Sequence, residues 1–304
     1  MHAFYAMSIV SLPIYFIVFV SLLRLRCYSK VYNTTFYTIF LQHCIADFIA
    51  IISFYFVNPL RTIPFIKRFY FDYQEYYIAA MCYNSIYVCL YIRCTGVIFL
   101  SIHRFVVIAL PTSTMSITLQ NANKLIIIAI FWLLPMPLCV VVLKDTDFYY
   151  ESYETLLLIA QREVINRNTL MALIVTIFTC ATCSLCYGGL FYVVRKKSAM
   201  LSRTLRRELH LAFQVLALLL AFFAILMYYS FQNYFAQTHN TGPIFLMRSI
   251  YPLANGLLSF VNPYCILFLN REFAIQVRRS LRCKTFKVSE IHMSTTTPSK
   301  TRHR

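Results

Sequence analysis

Seven times along this chain a run of apolar residues recurs that is long enough to cross a bilayer as a helix. The runs cover about 7–25, 36–58, 78–105, 125–143, 168–194, 209–231 and 247–269. A helix rises 1.5 Å per residue, so roughly 20 residues cross the hydrocarbon, where no water satisfies a bare peptide group. In the third run Arg93 is the sole charge between Ile78 and Leu100. Of all residues 60% are hydrophobic and 13% charged, against about 25% charged in soluble domains. The expected fold class is all-α, a seven-transmembrane helix bundle.

Charge sets the expected orientation. An odd number of spans puts the termini on opposite sides. With the N-terminus outside, twenty of the 28 lysines and arginines fall in inner segments and seven in outer ones, with Arg93 in the membrane. The acids divide the other way: Asp72, Glu75, Asp145, Asp147, Glu151, Glu154 and Glu163 lie in outer segments. The positive-inside rule then expects an extracellular N-terminus and a cytoplasmic C-terminus. The formal charge of +17 faces anionic membrane lipids, and no nucleic-acid partner is expected. The basic residues of the first run follow it and no small-residue cleavage site precedes Arg24, so the run is expected to remain as a span.

Two charges lie deep in the membrane. Asp47 is roughly 18 Å from the inner end of span two, and Arg93 lies roughly 16.5 Å above Arg104 on span three. An intramembrane charge is costly and a functional candidate by default. Opposite sign and equal depth predict an Asp47–Arg93 ion pair. The competing reading satisfies them separately, Arg93 on backbone carbonyls and Asp47 on Asn262 or Ser259. Above Arg93, Tyr83, Tyr87 and Tyr91 recur at i, i+4, i+8. With Tyr228 and Tyr251 they are the candidate ligand-binding residues, and core packing is the alternative. The acidic, tyrosine-rich loop 144–167 reads as a solvated face, with a lid as the other possibility.

Gly188-Gly189 in span five is expected to allow close helix contact. Arg195-Lys196-Lys197, Arg203, Arg206 and Arg207 read as topology determinants, and the sharper, compatible reading is a docking surface for a cytoplasmic partner. After span seven comes a short amphipathic stretch, Val277-Arg278-Arg279-Ser280-Leu281-Arg282-Cys283, whose Cys283 is a palmitoylation candidate. Residues 1–283 are expected to form one membrane domain, and 284–304 a polar tail expected to be disordered. The loops placed outside carry no cysteine; Cys82 and Cys139 are the one pair within geometric reach, and no disulfide is expected. No metal cluster, nucleophile motif or phosphate loop is present, so no metal, cofactor or enzymatic activity is expected. A transporter or channel remains the alternative function, without the paired half-repeats typical of transporters.

The foot of span three, Ser101-Ile102-His103-Arg104-Phe105 with Pro111, resembles the Asp-Arg-Tyr end of the third helix in rhodopsin-like receptors, with His103 and Phe105 in place of Asp and Tyr. Asn262-Pro263, followed by Asn270 and Phe273, resembles their seventh-helix signature, with Ile266 where they carry a tyrosine. Spans five and six lack the prolines of those receptors. Ala46-Asp47 resembles their second-helix aspartate, which sits beside a sodium ion, and Arg93 falls where they place a third-helix sodium ligand. The resemblance thus implies a guanidinium in the cation's position. The pieces Arg24-Leu25-Arg26-Cys27, Gln42-His43-Cys44-Ile45-Ala46-Asp47, Ser101-Ile102-His103-Arg104 and Asn255-Gly256-Leu257-Leu258-Ser259 are similar to nematode serpentine chemoreceptors, class V (Srv) of the Srg group. This resemblance implies a multi-pass chemosensory G-protein-coupled receptor of the plasma membrane, in the sensory cilia of neurons. It implies a small-molecule ligand of unknown identity and a heterotrimeric G protein as partners. The coupling and switch residues would be His103, Arg104, Arg203, Arg206, Arg207, Asn262 and Pro263.

The topology is open to glycosylation mapping. The sequon at Asn33 should stay unmodified in cells, while one engineered between Asp145 and Glu154 should gain a glycan; glycan on Asn33 would reverse the orientation.

Overall fold

The computed structural model describes residues 2–196, 203–238 and 241–281. Seven helical stretches in it are long and apolar enough to cross a membrane. They are α1 (His2–Tyr28), α2 (Thr35–Val57), α4 (Ala79–Ala109), the pair α6 (Lys124–Leu133) and α7 (Met136–Leu143), α8 (Arg162–Lys196), α9 (Arg203–Gln237) and α10 (Thr241–Leu269). Between them lie α3 (Pro64–Asp72), α5 (Thr114–Asn121), a two-stranded hairpin of β1 (Phe148–Tyr150) and β2 (Leu158–Ala160), and a final α11 (Arg271–Leu281). Most helices run past the apolar run that announced them, because the chain stays helical through the interfacial region where polar residues are tolerated.

The packing follows a ring. α1 meets α2 and α10, α10 meets α9, α9 meets α8, and α8 meets α4, which also packs on α2. α6 and α7 stand outside the ring against α2 and α4. The fourth span is two helices because Pro135 has no amide hydrogen to continue the ladder, and α7 restarts just after it. The Trp132 indole N–H donates to Gln42 Oε1 at 2.9 Å and ties α6 to α2.

Close approach is concentrated at single glycines. A Cβ on Gly96 would lie 2.3 Å from His43 Nδ1 and 3.2 Å from the Phe131 ring, so α2, α4 and α6 meet there. The double glycine of α8 does not act as a pair. A Cβ on Gly189 would come within 2.7 Å of the Phe105 ring, whereas Gly188 has nothing within 4 Å. The close contact expected of the Gly188-Gly189 pair is thus made by Gly189 alone.

The amphipathic helix after span seven is α11. Phe273 and Val277 are buried, and Asn270 Oδ1 caps the helix by accepting from the Phe273 amide at 3.0 Å. Cys283 and the tail 284–304 lie outside the described residues.

The loop before α8 departs furthest from its sequence reading. Its strands pair antiparallel, Phe148 opposite Ala160 and Tyr150 opposite Leu158. Phe148, Tyr150 and Leu156 are buried while Asp147, Tyr149, Glu151, Tyr153 and Glu154 are exposed, so the segment is a cover packed on one side and solvated on the other. Leu156 turns the hairpin at φ 45°, and Tyr77, at φ 67°, turns the chain into α4. Both sit in the left-handed region that costs a non-glycine residue of order 1–3 kcal/mol, so surrounding contacts must hold them.

A pair of alanine substitutions tests the glycine geometry. Gly96→Ala should destabilise the detergent-solubilised protein by about 1–3 kcal/mol through overpacking against His43. Gly188→Ala should leave the melting temperature unchanged or raise it slightly, since alanine is the better helix former by about 1 kcal/mol. Equal melting temperatures for the two variants would contradict the packing described.

Candidate functional site

Functional side chains occupy three levels along α4. At the level nearest the N-terminal face, a cavity of about 340 Å³ opens between α4, α9 and α10 beneath the hairpin. Tyr83, Tyr87, Tyr228 and Tyr251 all line it, joined by Tyr229. The rings touch in sequence: Tyr83 to Tyr87 at 5.3 Å between centroids, Tyr87 to Tyr229 at 6.4 Å, Tyr229 to Tyr228 at 5.1 Å and Tyr228 to Tyr251 at 5.5 Å. The Tyr83 and Tyr87 hydroxyls share a hydrogen bond of 3.1 Å. Tyr91 is not in this wall. Each i→i+4 step on a helix turns about 40° further round the axis, so the third tyrosine of the series has rotated off the cavity and is buried in the core.

The hairpin closes the cavity with Leu157 and Leu158 and lays Phe148 on Tyr83 at 4.8 Å. It is tied down on several sides. The Tyr150 amide donates to Gln74 Oε1 at 2.6 Å, and Arg61 donates to the Leu156 carbonyl at 3.4 Å. Lys67 donates to the Glu154 carbonyl and lies over the Tyr153 ring at 5.1 Å. At its base Asp145 pairs with Arg167, its carbonyl accepts from Asn84 at 3.1 Å, and the Tyr77 hydroxyl donates to the Leu143 carbonyl at 2.6 Å. Burial pushes the hydroxyls of Tyr150 in the hairpin and Tyr70 in α3 above the usual tyrosine range, with nearby Arg61 pulling both the other way.

At the middle level the two intramembrane charges meet. Arg93 Nε donates to Asp47 Oδ1 at 2.8 Å, both side chains fully enclosed. Neither charge relies on the other alone. Asp47 Oδ2 accepts from the Tyr15 hydroxyl of α1 at 2.8 Å and from Asn262 Nδ2 of α10 at 2.9 Å, with His43 Nε2 3.8 Å away. Arg93 Nη1 donates to Asn255 Oδ1 at 2.7 Å, and its Nη2 to the Ser259 hydroxyl. Both ways of satisfying Asp47 considered from sequence, Arg93 and Asn262, are thus present together, and Ser259 serves Arg93. A small cleft of about 10 Å³ bordered by Tyr251 and Asn255 lies between this network and the floor of the cavity.

At the third level, near the C-terminal end of α4, Arg104 is buried with its guanidinium 3.2 Å from the centroid of the Phe36 ring. His103 lies 5.8 Å from the same ring. Both border a cavity of about 240 Å³ with Asn33, Tyr37 and Gln120. Asn262 and Pro263, grouped with Arg104 by sequence, instead belong to the middle level, Asn262 in the shell of Asp47. Arg203, Arg206 and Arg207 fall on the first turns of α9, where the backbone alone is described.

Sequence reasoning passed over Tyr15, Asn255, Tyr229, Gln232 and Arg61. A signal existed for Asn255: with Ser259 and Asn262 it recurs at i, i+4, i+7, a polar stripe along one face of an apolar span. Arg61 had none, since a single loop arginine carries no pattern.

The network yields a measurable coupling. Asp47→Asn or Arg93→Gln alone should lower stability by about 3–5 kcal/mol and cut surface delivery, because each strands one buried charge. Changing both should recover part of that loss. A double variant no better than the worse single one would mean the two charges are held independently.

The family profile described as serpentine type 7TM GPCR chemoreceptor Srv matches residues 4–283. A comparison with curated protein sequences finds no match.

Proposed function

Because the chain belongs to the Srv family of serpentine seven-helix GPCR chemoreceptors, we propose that it binds a small molecule beneath the β1–β2 hairpin and signals to a heterotrimeric G protein at the opposite face. The observation that carries this reading is the lidded cavity of about 340 Å³ walled by Tyr83, Tyr87, Tyr228, Tyr229 and Tyr251. Its size and aromatic lining suit a largely apolar molecule with a polar handle. In this reading the N-terminal face is extracellular, the receptor sits in the plasma membrane of sensory neurons, cilia included, and its inner arginines lie against anionic lipids.

The route from cavity to partner runs down α4 and α10. A ligand that shifts Tyr251 presses on the cleft shared with Asn255, and Asn255 holds one of the hydrogen bonds of Arg93. Any repacking there is felt by Asp47, Asn262 and the kinked stretch around Pro263. Arg104, eleven residues below Arg93, is the group that leaves Phe36 to meet the G protein. His103 takes the place of the usual acid, so the resting lock on Arg104 is the Phe36 ring in place of a carboxylate. Arg203, Arg206 and Arg207 then extend the docking surface.

Calcium imaging of transfected cells against a small-molecule panel tests both ends. Tyr87→Ala and Tyr228→Ala should shift ligand potency at least tenfold with normal surface expression. Arg104→Ala should remove the response while leaving ligand binding in place. Unchanged potency in the tyrosine variants would return the aromatic wall to a packing role, and an intact response in Arg104→Ala would reduce that residue to a membrane anchor.

A further inference from the structure

The aromatic cavity carries one formal charge among its described lining residues, and that charge is positive. Arg61 stands at the rim on the helical turn between α2 and α3. Its one hydrogen-bond acceptor in the described structure is the Leu156 carbonyl, at 3.4 Å, and no carboxylate pairs with it. Two other arginines of the same face are treated differently. Arg68 is paired with Asp72 at 3.1 Å, and Arg167 with Asp145. A guanidinium offers five N–H donors in a planar fork shaped for a carboxylate, and at Arg61 most of that capacity is unused.

A second observation comes from the opposite wall. The Tyr229 hydroxyl and the Gln232 side-chain oxygen are buried without a hydrogen-bond partner, and both residues line the same cavity. Orphaned polar groups of this kind are rare in native interiors and cost stability unless a bound molecule satisfies them. The cavity therefore presents a cation and tyrosine faces, with the Tyr229 hydroxyl and Gln232 oxygen of α9 enclosed behind its wall.

A tyrosine cage by itself also suits an organic cation. Here a cation would face Arg61 with no lining carboxylate to offset the repulsion, so the aromatic attraction is outweighed.

We propose that the ligand is an organic anion: an apolar or aromatic body packed among the tyrosines and a carboxylate seated on Arg61. The proposal rests on the reading of this cavity as the ligand site and adds the chemical class. Because Arg61 also holds the Leu156 carbonyl, an anion bound there would sit against the turn of the hairpin and couple occupancy to its closure.

The test uses the full chain purified in detergent and a panel of small aromatic and aliphatic carboxylic acids, each paired with its primary amide and its amine. Binding is read as the shift in melting temperature, titrated for affinity, in the parent protein and in Arg61→Gln, Arg61→Lys and Tyr87→Ala. Among compounds whose shift disappears in Tyr87→Ala, the acid should bind about tenfold tighter than its amide, and the amine weakest. Arg61→Gln should erase the difference between acid and amide, and Arg61→Lys should keep part of it. Tyr87-dependent compounds that bind equally as acid and amide would overturn the anion class and leave the cavity standing as the ligand site. An acid preference that survives Arg61→Gln would overturn Arg61 as the seat of the carboxylate, and with it the site proposed here. If no compound depends on Tyr87, the cavity reading falls and the anion proposal with it.

Discussion

The hydrogen-bonded pair of Arg93 and Asp47 is the point on which the bundle depends. Inside a bilayer, helices gain little from burying apolar surface against one another, since the lipid is as apolar as the side chains. What fixes their register is tight packing and the few polar groups that have nowhere else to go. Here one acid and one base draw in Tyr15 from α1, Asn255, Ser259 and Asn262 from α10, and close on α2 and α4. Four spans therefore share a single polar node, and sliding any of them by one turn would leave a charge short of partners.

The remaining helices are arranged around that node more loosely. In α8, Thr176 and Thr179 return their hydroxyls to carbonyls of their own helix, at 2.7 and 2.8 Å. The described contact of α9 with α10 includes the Tyr228–Tyr251 ring pair. α8 reaches α4 through neutral contacts, the Ser101 hydroxyl donating to Cys183 Sγ at 3.2 Å, so the bundle divides into a half locked by charge and a half held by neutral contacts and ring packing. The tyrosine cavity lies where these halves meet, which is where a molecule of modest size has leverage on their spacing.

Much of this architecture was legible in the sequence because the bilayer imposes a coarse, strong rule. Seven apolar runs, the basic segments between them and the two stray charges followed from solvation alone. The misses came where local geometry outranked composition. Tyr91 shares the four-residue spacing of Tyr83 and Tyr87, yet the drift of a 3.6-residue helix carries it into the core. Gly188 and Gly189 are chemically identical, and only the face of α8 separates the one that touches Phe105 from the one that touches nothing. The loop before α8 looked solvated because it is acidic, while its alternation around Phe148 and Tyr150 was too short to announce a strand. Arg61 acquires meaning only from what the fold leaves unpaired around it.

The hairpin is fastened without a disulfide; sulfur meets it as the Cys82 thiol beside the Tyr150 hydroxyl. No cysteine occurs between Lys144 and Arg167, and Cys82 and Cys139, on helices beside its base, are free thiols. Everything that keeps the cover in place is a hydrogen bond, an ion pair or a ring contact, each of which breaks and reforms on its own. Such a cover is indifferent to the redox potential of its surroundings: a reducing medium that would unhitch a cystine-bridged loop has nothing here to cleave.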